Sequence, residues 1–273
     1  MREIGIGLVG YGAMGKAHSY AYLTMPLYYS GLPFKPYLAG VCSGHLENAR
    51  QAQADLGYAF ATDRFDDLLA RPDVDVIDIC TPNHLHREMI LKAAAAGKHI
   101  YCDKPLAING SEASEIVAAV QGKGLVHQVA FNLRFLPATM RARQLIDEGR
   151  IGRILGFRAV YLHAGSVDPQ KPAGWKLDPS VSGGGVLVDM GSHILDLVRY
   201  LVGDYRKIAA RSRVLYPQRP TGSGQTLEMT AEDSICLIAE MADGSIGTLE
   251  ASKIATGSQD DMRFEIHGDR GAL

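Results

Sequence analysis

The stretch that most constrains this chain is its start, Arg2 to Ala17, which reads REIGIGLVGYGAMGKA. Ile4, Ile6, Leu8 and Val9 form an apolar run with glycines between them, which predicts a buried strand. Gly10, Gly12 and Gly15 follow at the spacing G-x-G-x-x-G, and a helix-forming segment comes next. Strand, tight turn and helix start in that order form the arrangement that holds a dinucleotide pyrophosphate. Gly10 permits the turn, Gly12 lets the backbone approach the phosphates, and Gly15 lets the helix pack close to the strand. The free N–H groups of the helix start then face the anion. A glycine turn of this kind also arises for structural reasons alone, but the βαβ pattern that follows supplies the context the motif needs.

The rest of the first half keeps that rhythm. Segment 24–36 (TMPLYYSGLPFKP) reads as a loop. Strands are predicted at 36–43, 58–61, 74–80, 98–105 and 125–131, and helices at 45–56, 64–70, 83–96 and 111–121. Alternation of this sort predicts an α/β fold, a doubly wound parallel sheet. From about Leu133 the pattern changes. A helix at 137–149 and a strand at 153–165 precede a Pro- and Ser-rich loop at 166–182, then a glycine-opened helix at 183–203. Strands at 207–216, 231–241, 245–254 and 262–268 follow without helices between them, and ADGS at 242–245 signals a hairpin. The second region is therefore expected to be α+β, a mostly antiparallel open sheet packed on helices. The expected boundaries are 1–131 for a dinucleotide-binding Rossmann domain and 132–273 for a substrate and oligomerisation domain.

A length of 273 residues suits two domains. Lys and Arg number 28 against 30 Asp and Glu, a net charge of −2, which argues against a nucleic-acid partner. No apolar stretch reaches the ~20 residues that span a bilayer, and no secretory leader is read at the start. Cys42, Cys80, Cys102 and Cys236 do not pair as C-x-x-C, which favours reduced, buried thiols and a cytoplasmic protein.

Candidate site residues fall where predicted strands end, because the carboxyl ends of strands line the ligand crevice of a doubly wound sheet. The second strand ends in Ser43, Gly44 and His45. No acid is present to bond the adenosine ribose, so the choice between NAD and NADP leans to NADP, although the arginine that would bind a 2′-phosphate is also missing. Thr81 and Asn83 in TPNHLH are placed to meet the cofactor, and Asn83 also suits a helix cap. His84 and His86 lack a Cys or an acid at ligand spacing, so no metal is expected. Lys104, between Asp103 and Pro105, ends the next strand and can hold a substrate oxygen, or can be a solvated lysine. Asp189 and His193 stand four residues apart on one predicted helix face. His193 is a candidate acid–base with Asp189 to orient it, or a core histidine tied to an acid such as Asp196.

Taken together, GYGAMGKAH (10–18), TPNHLH (81–86), AGKHIYCDKPLA (96–107), FNLRF (131–135), GWKLDPSVSGGGVLVDMGSHILDL (174–197) and EIHGDRGAL (265–273) resemble the Gfo/Idh/MocA family of NAD(P)-dependent oxidoreductases. The pieces span nearly the whole chain in the family's order. The family's E-K-P reads Asp103, Lys104, Pro105 here. By this resemblance Lys104, Asp189 and His193 form the catalytic group. Gly10, Gly12, Ala13, Met14, Gly15, Ser43, Thr81, Asn83, His86, Asp103, Lys104 and Asn132 serve the cofactor, and Lys104, Trp175, Lys176, Asp189 and His193 serve the substrate. Arg134 is near the cofactor or structural. The implied reaction is hydride transfer between nicotinamide and a sugar or cyclic polyol carbon, with His193 taking the hydroxyl proton and Lys104 holding the oxygen. Alternatives within the same fold are an NAD-dependent redox-assisted glycosidase and a non-catalytic cofactor sensor. The family also implies a homo-oligomer, a dimer or tetramer, joined through the open face of the second sheet. Relatives commonly continue beyond EIHGDRGAL, so the resemblance implies a short or truncated C-terminus that leaves a sheet edge exposed.

Overall fold

A computed structural model describes residues 2–273. The chain divides after Ala130 into two units. The first is built on parallel strands because each strand is followed by a helix that returns the chain to the same edge. Strand β1 (Arg2–Val9) leads to α1 (Ala13–Tyr28), β2 (Phe34–Cys42), α2 (Leu46–Leu56), β3 (Ala61–Thr62) and α3 (Phe65–Leu69). Strand β4 (Val76–Ile79), α4 (His86–Ala95), β5 (His99–Asp103), α5 (Gly110–Val120) and β6 (His127–Ala130) complete it. The six-stranded sheet has the order β3-β2-β1-β4-β5-β6. Its order reverses at β1, so the crevice opens where β1 and β4 end. Leu8, Val9, Val41, Ile77 and Ile79 are buried in clusters on the sheet's faces.

Segment 24–36 is only partly a loop. Helix α1 continues through Pro26 to Tyr28, and β2 begins at Phe34. Pro26 falls in the last turn, where the N–H it lacks costs a single bond, and Tyr29 N–H still donates to Met25 O at 3.0 Å. The helix expected at 83–96 opens as a 3₁₀ turn, Asn83–Leu85, before α4.

The second unit comprises α6 (Pro137–Asp147), β7 (Ile154–Leu162), α7 (Pro179–Ser182), α8 (Ser192–Leu201), β8 (Tyr205–Arg213), β9 (Gln218–Pro220), β10 (Thr226–Glu228), β11 (Ser234–Met241), β12 (Ile246–Ser252) and β13 (Asp261–Gly268). Its five-stranded sheet runs β13-β7-β12-β11-β8, with β7 and β12 parallel and the other pairs antiparallel. The short β9–β10 pair had no signal in the sequence reading. Period-2 alternation sorts the residues by face. In β11, Ile235, Leu237, Ala239 and Met241 point into a core shared with Val186, Met190, Ile194, Leu197 and Leu201. Cys236 and Ile238 take the other register and are exposed. Cys236 therefore departs from the expectation of buried thiols. Cys42 and Cys102 are buried, and all four cysteines are free.

The helix expected to open at the glycines of 183–203 starts later. Gly183, at φ +88°, closes α7 in the left-handed region. A Cβ on Gly185 would lie 2.2 Å from Glu232 O, so that residue is needed for close approach to the segment that leads into β11. Helical structure resumes as a π turn, Leu187–Gly191, which runs into α8.

Candidate active site

In the first unit the turn after β1 is shaped by contacts that only glycine permits. Gly10 has φ +92°, and a Cβ there would lie 2.6 Å from Cys80 O. A Cβ on Gly15 would lie 2.0 Å from Gly10 O. Gly12 is different. Its φ is an ordinary −83°, yet nothing lies within 4 Å of where its Cβ would stand. The backbone does not require glycine here, and the side chain it lacks would fill the space in front of α1. The start of α1 carries no side-chain cap and no acid in its first turn, and Ala13 and Met14 are exposed. Uncapped N–H groups at the positive end of a 16-residue helix, facing open space, suit a pyrophosphate. The residues present fit a dinucleotide.

Around this turn the predicted contacts divide. Ser43 follows β2 and is only 8% exposed, with its N–H on Thr62 O at 3.1 Å, and His45 two residues on is exposed. Thr81 Oγ1 is turned toward Met89 Sδ at 3.6 Å, and Asn83 is buried at the start of its 3₁₀ turn. His86 was expected at the cofactor. The structure buries it completely, with Nδ1 2.8 Å from Pro105 O and Nε2 2.9 Å from Thr81 O. It is the bond between the loops that follow β4 and β5. Burial pushes its pKa down, against the upward pull of the two carbonyls. At the end of β5, Asp103 Oδ1 accepts the Lys104 N–H at 2.8 Å, which fixes the turn that carries the half-buried lysine.

Beneath these loops lies a polar cluster that the sequence did not reveal. Asp78, wholly buried on β4, lies 3.0 Å from His18 Nδ1 and accepts from Tyr22 O–H at 2.9 Å. Cys80 Sγ is 3.3 Å from His18 Nδ1, and the Tyr101 ring centroid is 5.3 Å from that of His18. The ligand-type atoms of His18, Asp78 and Cys80 lie within 4.8 Å of one another, a closeness that hydrogen bonding explains. Burial alone would lower the His18 pKa, but the hydrogen bond and charge of Asp78 outweigh it and raise it. Burial and Asp78 push the Cys80 thiol far up, so it is held as a thiol.

In the second unit the site is built from side chains. The spacing of Asp189 and His193 predicted an α-helical pair. Asp189 lies in the π turn rather than in an α-helix, and both its carboxylate oxygens meet lysines. Lys176 Nζ is 3.0 Å from Oδ1, and Lys253 Nζ is 3.1 Å from Oδ2. His193, in the first turn of α8, is contacted edge-on by the rings of Phe131 and Tyr161 at centroid distances of 6.1 and 5.9 Å. Burial, with a hydrogen bond to Asp260, pushes the Tyr161 pKa up. Asp196, the other acid considered for His193, is held by a two-pronged pair with Arg134, whose Nε lies 2.7 Å from Oδ2. That pair gives Arg134 a structural role. Asn132 is exposed at the head of the 3₁₀ turn Asn132–Phe135.

Two residues that the sequence reading missed hold this arrangement. The Glu232 carboxylate accepts the N–H groups of Gly185 at 3.1 Å and Leu187 at 2.9 Å, and so caps the start of the π turn. Lys253 continues the inward positions Gly247, Leu249 and Ala251 of β12. A lysine on an inward register was the signal available for it. Trp175 and Lys176 sit together in the 3₁₀ turn Trp175–Leu177, with the ammonium 6.0 Å from the ring centroid. The base of their loop is tied down by buried Arg219, which donates to Asp168 O at 2.7 Å and Ser166 O at 2.5 Å.

A glycine turn on a parallel sheet, followed by an α+β unit that presents a histidine and an ion-paired aspartate, defines a dinucleotide-dependent oxidoreductase with a separate second domain. Residues 4–131 match the oxidoreductase family with an NAD-binding Rossmann fold, and residues 139–273 match the GFO/IDH/MocA C-terminal domain. The chain belongs to the GFO/IDH/MocA family of oxidoreductases. It is 38% identical to levoglucosan dehydrogenase of Pseudarthrobacter phenanthrenivorans over 100% of this chain and 73% of that protein. It is 30% identical to inositol 2-dehydrogenase of Rhizobium meliloti over 98% of this chain and 74% of that one. Among solved structures, a levoglucosan dehydrogenase in complex with NADH and levoglucosan superposes with a TM-score of 0.96 at 40% identity, covering 99% of this chain and 72% of that one. No helix among the described residues is long and apolar enough to cross a membrane.

Proposed function

We propose that this chain interconverts an alcohol and a carbonyl on a cyclic sugar or polyol, with NAD(H) as redox partner. The observation that carries the cofactor assignment is the uncapped start of α1 facing open space at Gly12. The substrate class is supported by the likeness to levoglucosan and inositol dehydrogenases over nearly the whole chain. The nicotinamide, when bound, supplies the hydride chemistry.

The chain's own residues supply position, charge and proton transfer. His193 takes the hydroxyl proton, a task suited to an imidazole near neutral pH. The rings of Phe131 and Tyr161 confine its plane. The Lys104 ammonium stabilises negative charge developing on the substrate oxygen. Asp189 supplies a fixed carboxylate to the sugar hydroxyls, and Trp175 an apolar face.

NAD(H) is preferred over the phosphorylated form toward which the missing acid leans. Ser43 is too buried to reach far, Gly44 and His45 bring no guanidinium, and NADH is what the levoglucosan dehydrogenase complex holds. We place association of copies, a dimer or tetramer, on the outward sheet face that exposes Ile238 and Ile246. The free cysteines suit a reducing cytoplasm.

The test is cofactor reduction with levoglucosan, myo-inositol and 1,5-anhydro sugars, each offered with NAD and with NADP. Turnover of at least one, faster with NAD, is expected. Lys104→Ala is expected to lower turnover about 10²- to 10³-fold, the scale of losing one stabilising charge, while cofactor affinity stays near wild type. A folded, cofactor-binding protein that turns over no cyclic polyol contradicts the reading, and a Lys104→Ala loss confined to cofactor binding removes that lysine from the chemistry.

A further inference from the structure

Asp189 is held from two sides by lysines of opposite character. Lys176, which meets Oδ1, is 53% exposed and rides on a short turn. Lys253, which meets Oδ2, is 11% exposed. The Lys253 backbone is anchored at both ends: its N–H donates to Asp233 O and its carbonyl accepts from Ser166 N–H, each at 2.8 Å. A buried ammonium is costly unless paired, and a buried pair is costly to break from either side. An exposed pair such as Lys176 with Asp189 is held weakly and is easily exchanged. One carboxylate thus faces two cations, one fixed and one loose.

We propose that Lys253 is the positioning residue for Asp189 and that Lys176 is its displaceable partner, which leaves Oδ1 when a substrate hydroxyl takes its place. The inference rests on the sugar or polyol reading above. It adds that the orientation of the substrate-facing carboxylate is set from β12, by a residue outside the π turn and α8. Lys253 keeps Oδ2, and with it the plane of the carboxylate, while Oδ1 changes partners. The Lys176 ammonium competes with substrate for that oxygen.

The experiment compares Lys253→Met, Lys253→Arg and Lys176→Met in the full chain. It reads sugar kcat and KM, NADH affinity, and crystal structures of the variants. Lys253→Met is expected to lower kcat about 10- to 100-fold, the scale of a misplaced group, with NADH affinity unchanged and partial rescue in Lys253→Arg. Lys176→Met is expected to act mainly on the sugar KM, which falls because the competing ammonium is gone, with a smaller loss of kcat than Lys253→Met. Should Lys253→Met fail to fold, the charge-balanced double variant Asp189→Asn, Lys253→Met replaces it. Its kcat is expected to equal that of Asp189→Asn alone, since residues that act through one another are not additive. Crystal structures read the positioning without any substrate. Asp189 should keep its place in Lys176→Met and lose it in Lys253→Met. A wild-type kcat in Lys253→Met, multiplicative losses in the double variant, or an unmoved Asp189 in the Lys253→Met crystal would overturn the inference. A wild-type protein that oxidises no sugar, together with a displaced Asp189 in the Lys253→Met crystal, refutes the substrate reading and leaves the positioning role standing.

Discussion

The two units reach their candidate sites by different means. In the first, the backbone makes the site. Gly10 and Gly15 are required by contacts of 2.6 and 2.0 Å to main-chain oxygens, and Gly12 by the space it leaves open. In the second, side chains make it. A π turn is capped by Glu232, and its aspartate is held between Lys176 and Lys253, brought in from separate segments. A backbone site is written into consecutive residues, whereas a site of side-chain pairs depends on where distant segments come to lie. The first should therefore fail by steric clash and the second by loss of charge. The first unit also holds side-chain networks, and the buried Asp78 cluster is the sharpest place to press the contrast.

The largest effect is expected there. Asp78→Ala leaves His18 and Tyr22 without their buried acceptor and should cost about 3–5 kcal/mol, the range for breaking one side of a buried pair. Chemical denaturation reads it. The wild-type pair also carries a pH signature. The His18 pKa is raised above its ordinary 6.5, so the stability it contributes is complete below that value and is lost as pH rises through the folded-state value. The gap between wild type and Asp78→Ala should narrow from pH 6 toward alkaline pH, and a gap that widens would refute the charged pair.

Gly15→Ala comes next, at about 1–3 kcal/mol from overpacking against Gly10 O, and it should lose NADH affinity along with stability. If Gly15→Ala keeps full affinity, the turn is less confined than its contacts indicate. Glu232→Gln is expected to be smaller, about 1–2 kcal/mol, because the amide keeps an oxygen for one N–H but loses the charge on both. It should lower sugar turnover without touching NADH affinity. An equal loss of both would erase the distinction between the units.

The same contrast explains what could be read from the chain. The glycine turn, the six parallel strands and the change of pattern after the first unit were legible because they follow from spacing within one segment. The stretch 183–203 was not. Its glycines are used for a left-handed cap at Gly183 and a close approach at Gly185, and neither shows in helical periodicity. Asp189 and His193 were paired on an α-helical spacing, and the π turn that carries Asp189 leaves no mark in that spacing. Lys253 and Glu232 lie 64 and 43 residues beyond Asp189 in the chain, and only the folded sheet brings them to the turn. The two carbonyl bonds of His86 depend on the turn after β5 and could not be seen from TPNHLH alone.

The central claim is that the start of α1 binds NAD(H) in the space that Gly12 leaves. The most direct measurement is a fluorescence titration of wild type and Gly12→Asp with NADH, alongside their melting curves. An aspartate there meets nothing within 4 Å at its Cβ and is a favoured N-cap, so the fold should hold or gain slightly. Its carboxylate would stand where the pyrophosphate belongs. Saturable binding by wild type, and none by an equally stable Gly12→Asp, is the expected result. Equal binding by both proteins, or no binding by folded wild type, would contradict it.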